Sequence, residues 1–372
     1  MSIFRALCAL KPDFYALVFS TALLFGFALQ FNATNVGDGA EYYAMEVALA
    51  QAKVPYMTDS GWQKYQRLRE TGEVAGLEPT GQLKKKFPAL RVGSTSDFNH
   101  FWAYSLAGAV SDTFLPGGAH IGFMALHAAL FLLLVCISLR TDGRMGAVAA
   151  TALLLTSPML WFLTKVHTEW WTATLSTAAF ICAFSRKWAF AALLFSLVST
   201  QNISFALPAA FCWIIGAYDF FRIPANRLSN SALLILSAII VLVHPWYYFA
   251  RYGVVTPQLL AGGADLNRDF TAFRYLIDPD IGLFPNWPLG LLLLGVSVFY
   301  LIHDGWERLK ANMGPVLLVL VYCTSALWAH NASQNMNSGA TVHLARYGLW
   351  YLPLFYFPLL RVFKSFDRPH HA

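Results

Sequence analysis

An all-α integral membrane fold, with about ten transmembrane helices and a long first extracytoplasmic loop, follows from three observations on this 372-residue chain. Hydrophobic residues make up 57% of it and charged residues 12%, whereas soluble domains run near a quarter charged. Many of its apolar runs approach or exceed the ~18 residues that mark a membrane-crossing candidate. Lys and Arg gather at the ends of those runs, so the net charge of +6 reads as a topology signal. No basic stripe with interleaved aromatics suggests a nucleic-acid partner.

Taken in order, the N-terminus has a basic start and a long apolar run without a small-residue cleavage site. It reads as a retained first helix over 13–31. The first extracytoplasmic loop, 32–116, is expected to hold amphipathic juxtamembrane helices. The last of these, "FNHFWAYSLAGAVSDTFLP" (98–116), reads as interfacial or re-entrant. Counting it as a crossing would put Arg140 and Arg144 outside. Further helices are expected at 118–139, 146–164, 168–184, 188–202, 203–220 and 230–249. The pair meeting at "STQNIS" forms a hairpin with almost no loop. A second large loop, 250–283, precedes the helices at 284–302, 313–330 and 345–362. The whole chain, 1–372, reads as one polytopic domain.

Arg140, Arg144, Arg186, Lys187, Arg222, Arg227, Arg308 and Lys310 then share one side with Arg5, Lys11, Arg361, Lys364 and Arg368. By the positive-inside rule that side is cytoplasmic, with both termini there. The remaining polar segments collect on the outer face, including "HNASQNMNSGATVHL" (330–344). Of Cys8, Cys136, Cys182, Cys212 and Cys323, all but Cys8 lie in apolar runs and none forms a CxxC pair, so they read as packing residues.

Chemistry is therefore sought in the outer segments. In "DGAEYYAMEVALA", Asp38 and Glu41 share one helical face at i, i+3. A plain helix cap by Asp38 is the bland alternative. Against it, Gly37 and Gly39 admit a second backbone nearby, and an ionisable group at the membrane boundary is a functional candidate by default. In "TKVHTEWW", His167 and Glu169 sit at i, i+2 and point the same way in an extended turn. That suits a shared proton or a divalent cation, Mg or Mn. Two ligands fall short of a full site, and an interfacial turn with a Trp170–Trp171 aromatic belt is the alternative.

Outer cations are the third set. Lys84, Lys85, Lys86 and Arg91 precede "DFNHFW", Arg251 follows "VHPWYYFA", and Arg346 opens the last helix. Cations at helix ends mostly snorkel to headgroups. Arg346 lies on the translocated side, where basic residues are not favoured, and its guanidinium can grip a phosphate bidentately. "DPDIGLFPNWPLG" (278–290) reads first as a proline-rich turn with capping acids.

Together these segments resemble the GT-C superfamily of polytopic glycosyltransferases, which includes protein mannosyltransferases, aminoarabinose transferases and oligosaccharyltransferases. The likeness rests on an acidic motif opening the first loop ("GDGAEYY") and an aromatic, His-bearing segment closing it ("NHFWAYSLAGAV", with His100, Trp102 and Tyr104). It rests also on a second outer motif ("VHTEW"), on "DPDIGLFPNWPLG", and on the late "ARYGLWYLPLF". The acids stand as D-x-x-E, not adjacent as in many members. The lysine-proline near the loop's end in some branches is missing, which leaves Lys85 or His100 as stand-ins.

The resemblance implies an inverting glycosyltransferase. It would move a sugar from a polyprenyl-phosphate donor to an envelope glycan, lipid or protein hydroxyl, at the outer face of a bacterial inner membrane. Asp38 and Glu41 would then be catalytic. Lys85, His100, Tyr104, Arg251 and Arg346 would bind substrate, with His167 and Glu169 as a metal pair. Two other readings stay open: a transporter or flippase of a lipid-linked saccharide, and an O-antigen ligase or polymerase. The first would favour midplane charges and paired repeats, and the chain shows no repeat.

Overall fold

The structure is a computed structural model that describes residues 12–28, 34–114, 121–222, 227–262, 265, 269–333 and 343–366. Arg5, Lys11, Arg368, Cys8 and the middle of the 330–344 loop lie outside the described residues. Helices occupy the apolar runs. α1 spans Pro12–Ala28, and the first loop folds into α2 (Gly39–Ala52), α3 (Asp59–Glu70), α4 (Thr80–Lys86), a two-stranded hairpin (Arg91–Val92 with Thr95–Ser96) and α5 (Ala103–Phe114). Then follow α6 (Ile121–Leu155), α7 (Glu169–Phe184), α8 (Trp188–Gln201), α9 (Ala206–Arg222), α10 (Arg227–Tyr252), α11 (Pro288–Ala311), α12 (Met313–Ala332) and α13 (Tyr356–Phe366).

Among the described residues, four helices are long and apolar enough to cross a membrane: Ile121–Leu155, Ile203–Arg222, Leu228–Tyr252 and Met313–Ala332. The protein is an integral membrane protein. The helices expected at 118–139 and 146–164 are the two arms of α6, which meet at a kink at Gly143, where φ is 71° and the backbone is not helical. Two departures from expectation have local causes. The second arm of α6 stops at Leu155, where Ser157 caps a 3₁₀ turn at Pro158–Phe162. The expected helix 345–362 is a 3₁₀ helix at Arg346–Phe355, containing Pro353, that passes into α13.

The centre of the molecule is α7, buried from Glu169 to Ala183 among α6, α8 and the 3₁₀ segment at 346–355. A helix apolar all round belongs in a core. This overturns the aromatic-belt alternative for Trp170 and Trp171. Both rings are buried, and their indole N–H groups donate to the carbonyls of His127 at 3.1 Å and Leu197 at 3.0 Å.

The first loop packs into the same apolar core. α3 is amphipathic: Trp62, Tyr65 and Leu68 recur at three-residue spacing and pack inward, and Thr58 caps the helix through the Gly61 N–H. Trp62 meets Phe98 edge-on at 6.1 Å, which ties α3 to the segment that carries His100.

Candidate active site

Two backbone segments distant in sequence are stitched together at the top of α7. Thr34 N–H donates to the Thr164 carbonyl at 3.0 Å, and Val166 N–H donates to the Thr34 carbonyl at 3.2 Å. Gly37 then takes φ 60°, a left-handed conformation that favours glycine. At Gly39 a Cβ would sit 3.1 Å from the Val166 carbonyl oxygen, so the start of α2 can lie directly on the turn that precedes α7. That contact brings "GDGAE" and "VHTE" face to face.

Asp38 does not cap α2. It occupies the N-cap position with no side-chain cap bond, and its carboxylate turns to Arg346, 2.7 Å away. Arg346 also donates to His167 Nε2 at 2.8 Å, lies 3.6 Å from Glu169 Oε1, and donates to the Tyr347 hydroxyl at 3.2 Å. His167 Nδ1 bonds the Glu169 carboxylate. On the other flank, His100 stands 3.4 Å from Asp38 and 2.9 Å from Glu41, and Lys86 pairs with Glu41 at 2.6 Å. The result is one connected chain of polar groups: Lys86, Glu41, His100, Asp38, Arg346, with His167 and Glu169 behind the guanidinium. Asp38 is 19% exposed and Arg346 8%, so the centre is open on the Asp38 side.

The electrostatics follow from these contacts. Burial alone would raise the Asp38 pKa, but Arg346, His100 and His167 outweigh it and hold the carboxyl well below the usual range. Burial likewise disfavours the His167 imidazolium, yet Glu169 and Asp38 prevail against it, and against Arg346, to raise its pKa. For Lys86, the Glu41 carboxylate overcomes the burial cost and raises the ammonium pKa.

The other sequence candidates sit elsewhere. Lys85 is exposed, and the lysine that reaches Glu41 is Lys86. The phase of α4 carried the signal: Leu83 is its buried residue, and i+3 from it is Lys86. Exchanging Lys86 for alanine is therefore expected to lower the melting temperature, since the buried Glu41 then lacks its lysine partner; Lys85→Ala should melt as wild type. Tyr104 lies behind the site, fully buried, with its hydroxyl 2.8 Å from His127 Nε2 and its ring edge-on to Tyr42. His127, which the sequence reading did not single out, joins Tyr104 to the Leu163 carbonyl.

Arg251 is held 2.7 Å from Asp97 and stacks over Tyr56. Tyr247 and Tyr252 also donate to Asp97, so this group clamps the end of α10 onto the segment leading to His100. The "DPDIG" turn caps itself through Asp278, as its bland reading held, and its Ile281 carbonyl accepts the Ala345 N–H at 2.9 Å, bracing the residue before Arg346.

His167 and Glu169 bond each other, and the second His167 nitrogen faces Arg346, so neither ring nitrogen is left for a cation in this arrangement. Among the described residues, the group compact enough to hold a metal ion is Asp38, Glu41 and His100, with one ligand atom from each within 4.8 Å of the others. Lys86 and Arg346 already supply positive charge to those carboxylates.

The His167–Glu169 pair carries a pH signature. Because the His167 pKa is raised, its stabilising contribution is fully present below the unfolded value near 6.5 and fades as pH rises through the folded value. The melting-temperature gap between wild type and Glu169→Gln should be widest in mild acid and narrow towards alkaline pH. A gap that widens with pH would contradict the pairing.

No protein-family model matches the chain, and no curated protein sequence matches it. Its structure is similar to the crystal structure of ArnT from Cupriavidus metallidurans in the apo state, with a TM-score of 0.55 at 12% identity. The match covers 96% of this chain and 60% of that one, so this chain spans about three fifths of the length of its structural neighbour. The likeness shows a GT-C-like fold.

Proposed function

We propose that the chain is a membrane glycosyltransferase that takes a sugar from a polyprenyl-phosphate donor and inverts the anomeric centre. The observation that carries the reading is the Asp38–Arg346 ion pair at 2.7 Å, part-buried, with His167 and Glu169 fixing the far side of the guanidinium. The GT-C-like fold supports it, since ArnT is itself a glycosyltransferase.

In the proposed step an acceptor hydroxyl oxygen forms a bond to the anomeric carbon. Its proton passes to Asp38, and the bond from that carbon to the phosphate oxygen breaks with the electron pair leaving on the phosphate. Arg346 supplies a planar donor fork where that charge grows. As drawn, Asp38 is a poor base because Arg346 lowers its pKa. A donor phosphate that draws the guanidinium off Asp38 raises the basicity of the carboxylate at the moment a base is needed. His167 and Glu169 position Arg346, while Glu41 and Lys86 hold His100 against Asp38. A divalent cation, Mg or Mn, would have Asp38, Glu41 and His100 as its ligands and would compete with Lys86 and Arg346; no step above depends on it.

The acceptor is an envelope glycan, lipid or protein hydroxyl. The site faces away from the cytoplasm of a bacterial inner membrane, in keeping with the cytoplasmic placement of the basic links.

The test offers the purified protein in lipid nanodiscs a panel of polyprenyl-phosphate sugars, with and without an envelope acceptor fraction. Acceptor-dependent release of polyprenyl phosphate is expected. Binding of donors without cleavage, whatever the acceptor, would move the protein to the class of lipid-linked saccharide transporters.

A further inference from the structure

α2 presents polar groups on two faces. Asp38, Glu41 and Tyr42 serve the candidate active site. Tyr43, Glu46, Val47 and Ala50 recur at i, i+3, i+4 and i+7 and line a separate cleft of about 530 Å³. Lys64 and Leu68 of α3, the Glu73 loop and Asp112 of α5 form its other walls, with Gln51 at its edge.

The floor of this cleft is unusual for a protein interior. Glu46 is 3% exposed, and neither of its carboxylate oxygens has a hydrogen-bond partner; the Tyr43 hydroxyl, on a residue 1% exposed, has none either. Leaving such groups unpaired is unfavourable, and an apolar pair of the same shape would have packed α2 more firmly. Both groups line the cleft, so a ligand there would find their hydrogen-bonding capacity unused. Burial, reinforced by Asp112, raises the Glu46 pKa well above the usual range and so favours the neutral carboxyl, a form that offers a donor as well as an acceptor.

The lining selects among ligand chemistries. An anion would meet Glu73 and Asp112 with Lys64 alone to offset them. A divalent cation needs several ionised oxygens converging within coordination distance, and the compact acidic group among the described residues is at Asp38, not here. What remains is a wall of mixed donors and acceptors: a carboxyl, a phenol, an amide, an ammonium and two carboxylates, backed by the apolar sides of Val47 and Leu68. Such a wall matches a neutral ligand whose hydroxyls each donate and accept, and whose ring face is apolar.

We infer that the cleft behind α2, floored by Tyr43 and Glu46, is a saccharide-binding site distinct from the Asp38 centre. Glu46 and Tyr43 bond ring hydroxyls at the floor, and Lys64, Glu73 and Asp112 bond those at the rim. The inference does not depend on sugar transfer at Asp38.

The experiment is saturation-transfer NMR on the full chain in nanodiscs free of glycosidic detergent. The probes are glucose, galactose, mannose, rhamnose and N-acetylglucosamine, each offered to wild type, Glu46→Gln, Glu46→Leu and Tyr43→Phe. At least one sugar should receive saturation from wild type. Glu46→Leu and Tyr43→Phe should each weaken its binding about tenfold, and Glu46→Gln, which keeps a donor and an acceptor, about threefold or less. Glu46→Leu removes unpaired buried oxygens, so its melting temperature should equal or exceed that of wild type. If a floor variant fails to fold, the exposed rim variants Lys64→Ala and Glu73→Ala carry the test, with weakened binding expected. Asp38→Asn should bind as wild type, which separates this site from the transfer reading. Saturation of none of the sugars, or binding indifferent to both floor and rim variants, overturns the inference.

Discussion

Arg346→Ala is expected to lower sugar transfer by about 10²–10³-fold, the loss typical when one preorganised donor is removed from developing negative charge. Donor binding should weaken alongside, because in the proposed function the same guanidinium meets the phosphate in the ground state. The substitution also strands charge. Asp38 at 2.7 Å and Glu169 at 3.6 Å lose their shared cation, and breaking a buried pair by removing one partner costs about 3–5 kcal/mol. Arg346→Lys separates the two effects. A lysine restores charge but not the planar fork that spans Asp38, His167 and Tyr347. Its melting temperature should recover towards wild type while its turnover stays low. Transfer by Arg346→Ala at the wild-type rate would remove Arg346 from the chemistry.

Asp38→Asn should reduce turnover by about 10²–10⁴-fold, the range for losing a general base, with donor binding kept or tightened. The reason for tighter binding is competition. In the resting site Asp38 holds the guanidinium that the proposed donor phosphate would need, and asparagine gives up that ion pair. Measuring donor affinity apart from turnover distinguishes this outcome from general damage. Stability adds a second readout. The Asp38 carboxyl is held below its ordinary range, so its pairing stabilises the fold above the unfolded carboxylate pKa and is lost as pH falls through the folded value. The melting-temperature advantage of wild type over Asp38→Asn should therefore persist at neutral pH and shrink in strong acid. If turnover is unchanged and donor affinity falls, Asp38 belongs to ground-state binding instead.

Much of the candidate site was legible because ionisable groups at a membrane boundary are few and costly. Asp38, Glu41, His167, Glu169 and Arg346 stood out for that reason and His100 through the family resemblance, and the structure gathers all of them. The candidates that lie outside this cluster do so for different reasons. Choosing Lys85 over Lys86 ignored the phase that buried Leu83 imposes on α4. Arg251 and Tyr104 carry the right chemistry, but Asp97 and His127 claim them through contacts that no local pattern announces. Trp170 and Trp171 looked interfacial because they flank a turn, and α7 proved central because α6, α8 and the 3₁₀ segment surround it.

Composition and periodicity determined that this chain is helical, membrane-embedded and polar in its connecting segments, since burying apolar surface and satisfying backbone groups in lipid leave few other solutions. Which polar groups meet was decided by tertiary structure alone. His167 and Arg346 are 179 residues apart in the chain and 2.8 Å apart in space. Asp38 leaves its helix-cap role for that pair because a close approach at Gly39 seats it beside the guanidinium, and a charge–charge contact shielded from water outweighs a local backbone bond.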